Sequence, residues 1–252
     1  MRLVIVIVAA MLVAGCSTQY VVGQDGELTS RGHASARIHT ELAAQYYERA
    51  QLGIALDELR QALQAEAAYA PAYSVRGLVH MALREDKEAE ADFKYSLQLD
   101  SKNPETYNNY GWFLCQRGRA HESVRMFLAA LKDPLYSSPE KAYLNAGICS
   151  QKAGELPEAE EFLNKALLFN PDLQDAVLAL AELNYAKGDF AAANSFLSRF
   201  AGDNEALSAA NLWLGVRIER ELGNKNVEES YALQLRKRFP GSPEAKLLPP
   251  EQ

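Results

Sequence analysis

The sequence contains few of the residue patterns that catalytic and metal sites require. It has no glycine-rich phosphate loop, no Gly-x-Ser-x-Gly nucleophile motif and no His-Glu-x-x-His zinc motif. Its four histidines are scattered, and no two of them have the spacing of metal ligands within one helix: His33, His39, His80 and His121. We therefore expect a protein without enzymatic activity, metal or cofactor.

A surplus of basic residues is also missing. Lys and Arg total 26 against 33 Asp and Glu, which gives a formal net charge of −7 at pH 7. Nucleic-acid binding depends on Lys and Arg side chains that meet phosphates. The charge balance therefore argues against a nucleic-acid partner.

Glycine and proline are sparse between residues 36 and 239, and a regular period runs through this region instead. Small residues separated by 34, 34, 36, 34 and 34 positions recur at Ala43, Gly77, Gly111, Gly147, Ala181 and Gly215. A unit of 34 residues with two helices, and with small residues where the helices cross, is typical of the tetratricopeptide repeat. The sequence therefore predicts an all-α fold, a right-handed superhelix of about six helix-turn-helix repeats.

The period also gives the boundaries of the repeats. They are predicted at about 36–69, 70–103, 104–139, 140–173, 174–207 and 208–239, and residues 240–252 are predicted to form a frayed tail. The single step of 36 residues comes from two extra residues near Asp133 to Pro139. We expect an elongated turn at that point.

The first residues have the features of a bacterial lipoprotein signal. The apolar run from Leu3 to about Ala14 is shorter than the roughly 20 residues that span a membrane, and it fits a signal peptide over residues 1–15. The segment from Val13 to Cys16 resembles a lipobox, in which the cysteine is lipidated after cleavage. Val13 stands where such signals usually have Leu. The alternative is an ordinary cleaved signal or membrane anchor in which Cys16 is incidental.

The resemblance to Gram-negative lipoproteins also implies a location. Ser17 follows the cysteine, and in such lipoproteins this implies sorting to the outer membrane, with the protein lipid-anchored on the periplasmic face. Residues 16–35 are polar and contain Gly23, Gly26 and Gly32. We expect this segment to be a lipidated flexible tether.

The first helices of tetratricopeptide repeats line the concave side of the superhelix, where partner proteins bind. Counting along the period gives a largely apolar candidate groove, which consists of Tyr47, Leu78, Met81, Asn108, Trp112, Leu144 and Ile148. The alternative is that some of these side chains only pack against neighbouring repeats.

Several local stretches resemble the PilF/PilW lipoproteins of type IV pilus biogenesis. They are residues 108–111 (Asn-Asn-Tyr-Gly), 113–115 (Phe-Leu-Cys), 133–136 (Asp-Pro-Leu-Tyr), 233–236 (Leu-Gln-Leu-Arg) and 239–242 (Phe-Pro-Gly-Ser). The resemblance implies a non-enzymatic outer-membrane pilotin that binds the pilus secretin and promotes its outer-membrane localisation or multimerisation. Some members also support pilus stability. We expect a monomer before the partner binds.

A second interpretation stays open. A general periplasmic tetratricopeptide lipoprotein that recruits cell-wall enzymes would share the repeats and the lipid anchor. The repeat period alone fits both interpretations.

If Cys16 is acylated, Cys115 and Cys149 remain as an even pair in an oxidising compartment. They are 34 residues apart, on the first helices of adjacent repeats. Similar pairs occur in some PilW members, which implies a disulfide between them. The alternative is two buried thiols that pack as small apolar residues.

The lipoprotein interpretation gives a first prediction. Cys16→Ser should leave unprocessed or soluble protein, because no acyl chain can be attached, and globomycin should make the diacylated precursor of the unaltered protein accumulate. Membrane fractionation and the electrophoretic mobility of the precursor measure both effects. Unchanged processing and location in the Cys16→Ser variant would refute lipidation.

Overall fold

The chain is an array of helix pairs. The computed structural model describes residues 22–203 and 207–249, and within these ranges it contains twelve α-helices and no strand. The all-α repeat fold predicted from the period is thereby confirmed. The predicted signal peptide and Cys16 lie outside the described residues.

The helices form six successive pairs, one pair for each predicted repeat. Their bounds are α1 (Val22–Glu48) and α2 (Leu52–Ala65), α3 (Ala70–Ala82) and α4 (Asp86–Leu99), α5 (Pro104–Gln116) and α6 (Ala120–Ala130), α7 (Pro139–Lys152) and α8 (Leu156–Phe169), α9 (Gln174–Lys187) and α10 (Phe190–Asp203), and α11 (Ala209–Glu221) and α12 (Lys225–Arg238). The two helices of each pair pack on each other, and the second helix also packs on the first helix of the next pair. The first helices α1, α3, α5, α7 and α9 contact one another in sequence. This stacking makes the first helices the inner layer of the superhelix and the second helices its outer layer.

Each pair crosses where a small residue faces a bulky one. A Cβ atom on Gly111 would lie 2.6 Å from Cε1 of Phe127, and a Cβ atom on Gly147 would lie 2.6 Å from Cγ of Leu163. The bulky residues at this position in the first five repeats have no exposed surface: Leu59, Phe93, Phe127, Leu163 and Leu197. The 34-residue period therefore arises from the contact at which the two helices of each pair cross.

The turn between the two helices of a pair needs a left-handed residue. Gly118 and Gly188 have φ angles of 74° and 79°, and each donates its backbone N–H to a carbonyl oxygen at the end of the preceding helix. In the first two repeats the left-handed position holds Ala50 and Arg84, at φ angles of 56° and 65°. Glycine adopts this conformation without steric cost, so the later turns are locally less strained.

The predicted flexible tether over residues 16–35 needs correction in its described part. Helix α1 begins at Val22, so residues 22–35 are helical. The reason is packing against the end of α2: a Cβ atom on Gly32 would lie 2.9 Å from the Ala65 carbonyl oxygen, and Nδ1 of His33 lies 2.8 Å from Glu66 Oε2. Gly32 is thus a point of close helix approach rather than a sign of a flexible chain.

The two extra residues between α6 and α7 form a defined turn. The Asp133 carboxylate accepts a hydrogen bond from the Leu135 N–H at 2.9 Å, and the Asp133 carbonyl accepts one from the Tyr136 N–H at 3.2 Å. Tyr136 is buried against Ala130 and Ala142, and this burial raises the pKa of its hydroxyl. The expected elongated turn is present, and Tyr136 anchors it to the core.

The end of the chain is also more ordered than predicted. Residues 240–249 fold back on the last repeat, where Ala245 and Leu248 pack with Leu212 and Leu235. A 3₁₀ turn covers Ala245–Leu247. The frayed tail predicted over residues 240–252 is therefore wrong for the described residues, because apolar side chains of this segment cover the open end of the repeat array. No helix in the described ranges is both long enough and apolar enough to cross a membrane.

The tight crossings give a second prediction. Gly111→Ala should destabilise the protein by about 1–3 kcal/mol, because the added methyl group overlaps the Phe127 ring and the helix backbone cannot easily move away. Gly53→Ala is the matched control: it also lies in a helix, but nothing is within 4 Å of its added Cβ atom. That variant should be as stable as the unaltered protein or more stable. Urea unfolding measures both, and equal effects of the two changes would contradict the crossing argument.

Candidate protein-binding groove

The predicted groove residues occupy two different environments. Five of them are half-buried, and we call them the inner stripe: Tyr47, Leu78, Met81, Trp112 and Ile148. Each of these side chains packs against a buried cluster and is partly exposed to solvent. The inner stripe runs along α1, α3, α5 and α7, so it presents an interrupted apolar surface on the inner layer.

Asn108 and Leu144 do not belong to this open surface, and the prediction needs correction for them. Each is only 8% exposed. Leu144 packs with Ala176, Ala179 and Leu180 of α9, in the next repeat. Both residues come three positions before the small crossing residue, and this position of the first helix faces the neighbouring first helix.

Polar side chains connect these neighbouring first helices. Asn109 Nδ2 donates to Ser74 Oγ at 3.2 Å, and Asn145 Nδ2 donates to Asn108 Oδ1 at 3.0 Å. Asn145 was not singled out by the sequence, although it occupies the same repeat position as Asn109. These hydrogen bonds fix the spacing of α3, α5 and α7.

A disulfide joins the middle of the inner layer. The Sγ atoms of Cys115 and Cys149 are 2.02 Å apart and their Cα atoms are 5.8 Å apart. The bond links α5 to α7, and both cysteines pack with Phe127 and Ala146 beneath Trp112. The disulfide thus restrains the two helices that carry Trp112 and Ile148.

The half-buried carboxylate of Glu90 connects the second and third repeats. Glu90 Oε1 accepts hydrogen bonds from Tyr110 Oη at 2.9 Å and from Arg119 at 3.0 Å, and it forms an ion pair with Lys94 at 2.9 Å. Burial raises the pKa of Glu90, but the three donors outweigh this effect and lower the pKa to about 2. Since the pKa in the folded protein lies below the ordinary value of 4.5, the stabilisation is complete above pH 4.5 and is lost as the pH falls toward 2.

The described residues contain no group of three or more His, Cys, Asp or Glu side chains that could hold a metal ion. Each of the four histidines lies beside a glutamate, in the pairs His33–Glu66, His39–Glu58, His80–Glu85 and His121–Glu155, and Nε2 of His80 also lies 3.7 Å from Asp92 Oδ2. The inner stripe presents half-buried aromatic and aliphatic side chains. Half-exposed aromatic and aliphatic side chains on restrained helices can bury further apolar area against a partner.

No protein-family profile matches the chain. The crystal structure of PilW, a widely conserved type IV pilus biogenesis factor, superposes with a TM-score of 0.79 at 33% identity and covers 84% of this chain and 97% of that chain. The structure of PilF from Pseudomonas aeruginosa superposes with a TM-score of 0.76 at 28% identity, covering 86% of this chain and 97% of that chain.

The chain belongs to the PilF/PilW family of type IV pilus biogenesis proteins. The sequence of the type IV pilus assembly protein PilF from Pseudomonas aeruginosa is 29% identical over 243 residues, which is 96% of this chain and 95% of PilF. The family predicted from the local motifs is therefore confirmed, and the similarity extends over nearly the whole length of both chains. Membership of this family supports a role in type IV pilus biogenesis.

The disulfide gives a third prediction. Replacing Cys115 and Cys149 together by Ala should lower the free energy of unfolding by about 3–4 kcal/mol, because the bond closes a loop of 34 residues that is otherwise open in the unfolded chain. Chemical unfolding with and without reductant measures the difference, and reductant should have no effect on the double variant. Two free thiols in the mass spectrum of the unreduced protein would contradict the disulfide.

Proposed function

We propose that this protein is an outer-membrane lipoprotein, a pilotin, that binds the pilus secretin and promotes its outer-membrane localisation or multimerisation. The observation that carries this proposal is the inner stripe, a half-exposed apolar surface on restrained helices in a member of a pilus biogenesis family. Anchoring through Cys16 would keep that surface at the membrane where a secretin is assembled. The role is binding and positioning, without catalysis.

The chemistry of the inner stripe matches the chemistry of such a partner. A secretin in transit exposes segments that later become buried in the membrane or in the multimer, and these segments are apolar or amphipathic. Trp112 and Tyr47 are of the residue types most enriched among binding hot spots. Met81 adds a flexible side chain that can adapt to the shape of a partner.

The bonds between α5 and α7 support binding because they preorganise two of the helices that carry the inner stripe. The Cys115–Cys149 disulfide and the Asn108–Asn145 hydrogen bond hold α5 and α7 together before a partner arrives. A partner segment therefore does not have to order these two helices, which lowers the cost of binding. Only the side chains of the inner stripe need to adjust.

The inner stripe gives a fourth prediction. The double change Trp112→Ala with Met81→Glu should weaken capture of the secretin at least tenfold, because it removes an aromatic anchor and places a charge on the apolar surface. Copurification of the secretin and the yield of secretin multimers in cells measure the effect. The matched control is Tyr95→Ala with Leu128→Glu, which makes the same types of change at partly exposed residues of the outer helices α4 and α6.

The comparison of the two double variants decides the proposal. Loss of capture and of multimers in the first variant only, with unfolding transitions of both variants close to that of the unaltered protein, supports the inner stripe as the secretin site. Equal capture by both variants would contradict it. Normal secretin multimers together with altered cell shape in a deletion strain would favour the scaffold that recruits cell-wall enzymes.

A further inference from the structure

The inner layer continues beyond the inner stripe to an arginine that forms no ion pair with any residue of the described part of the chain. Arg217 lies on α11, and its guanidinium carbon is 4.6 Å from the centroid of the Tyr185 ring on α9. Its Nε atom is buried, and no hydrogen-bond acceptor for it occurs within residues 22–203 and 207–249. Burying a donor without an acceptor costs free energy, so this arrangement needs an explanation.

Other partly buried arginines of this chain are paired. Arg76 makes two hydrogen bonds to Asp92, at 2.8 and 2.7 Å. Arg119 donates to both Glu90 and Glu122. Arg238 donates to a backbone carbonyl oxygen instead, that of Leu207 at 3.0 Å. Arg217 differs from all three, because its buried Nε has no acceptor among the described residues.

One acidic group interacts electrostatically with Arg217: Glu182, which precedes Tyr185 by one helical turn on α9. The pKa of Glu182 is raised, because desolvation has a larger effect than the charge of Arg217, which lowers it. The two charges therefore interact at a distance, but no hydrogen bond or ion pair joins them among the described contacts. Glu182 therefore leaves the Nε–H of Arg217 without an acceptor.

The place of Arg217 in the superhelix connects it with the inner stripe. Glu182 and Tyr185 occupy the repeat positions that hold Leu78 with Met81 in the second repeat. Since these positions face the concave side on α3, they do so on α9, and the guanidinium that stacks on Tyr185 lies on the same side. The ring holds the guanidinium in place by a cation–π contact, and the Nε–H keeps no acceptor among the described residues.

We propose that Arg217, held by Tyr185, receives a carboxylate of the protein segment that binds along the inner stripe. A guanidinium presents paired N–H donors that match a carboxylate, and partial burial strengthens such a charge-assisted pair. The carboxylate is either an Asp or Glu side chain or the end of the partner chain. This inference rests on the proposed function, because it assigns a chemical feature to the segment bound there.

The first experiment tests the receptor without any partner. In ¹⁵N-labelled protein, the Nε–H signal of Arg217, identified by its loss in Arg217→Lys, should shift and saturate during titration with sodium acetate. Sodium chloride at equal ionic strength should not reproduce the shift, and Arg125→Gln, a change at an exposed arginine of α6, should leave it intact. An Nε–H signal that does not move with acetate, or moves equally with chloride, would overturn the proposal.

The second experiment identifies the source of the carboxylate. Overlapping peptides of the organism's own pilus secretin are tested for binding to the unaltered protein and to Arg217→Gln. A peptide that binds should lose at least tenfold in affinity with Arg217→Gln, and the same loss should follow either Asp→Asn or Glu→Gln in the peptide or amidation of the native carboxyl end. Combining the protein change with the peptide change should cause no further loss.

The outcomes separate the two proposals. A peptide that binds the unaltered protein and Arg217→Gln equally well would show that the inner stripe binds secretin and that the carboxylate inference is wrong. If no secretin peptide binds the unaltered protein, the proposed function loses its support, and the acetate titration still decides whether Arg217 is a carboxylate receptor.

Discussion

The structure depends on one contact, the crossing of two helices at a residue with little or no side chain. At Gly111 and Gly147 the partner side chain fills the space where a Cβ atom would otherwise lie. This close approach sets the angle between the helices of a pair, and the angle repeats because the small residue repeats. The concave inner layer is a consequence of six similar crossings in sequence, since each first helix is displaced in the same sense from the one before.

Side-chain hydrogen bonds, ion pairs and the disulfide that connect different repeats are concentrated in the middle of the array. The Glu90 cluster joins α4, α5 and Arg119, the residue just before α6, and the disulfide and the asparagine hydrogen bond join α5 and α7. In a repeat array each unit contacts mainly its neighbours, so such ties determine where the inner layer resists bending. The part that carries Trp112 and Ile148 is therefore the part best held in one shape.

The sequence predicted the features that repeat and missed those that depend on one particular pair of neighbours. The period located the small residues, such as Gly111 and Gly147, at which the two helices of a pair cross. It placed Leu144 on the open surface because the period of a single unit does not show which side chain of the next unit will cover it. The prediction of a flexible segment around Gly32 was wrong for a related reason. Glycine is common in flexible segments, but here it permits close contact between α1 and Ala65. The stacking of Arg217 on Tyr185 likewise requires knowing which residues of α9 and α11 meet.

The two ends of the inner layer differ in chemistry, and this difference bears on the orientation of a bound segment. Its first four repeats present apolar side chains, among them Leu78, Met81 and Trp112, whereas the fifth and sixth present Glu182 and Arg217. Burying apolar area gives affinity but little orientation, because such contacts are not directional. A charge pair at one end is directional and penalises the reversed arrangement, in which a carboxylate would face apolar side chains. If a partner segment binds as proposed, with an apolar stretch on the inner stripe and a carboxylate at Arg217, this face accepts the segment in only one direction.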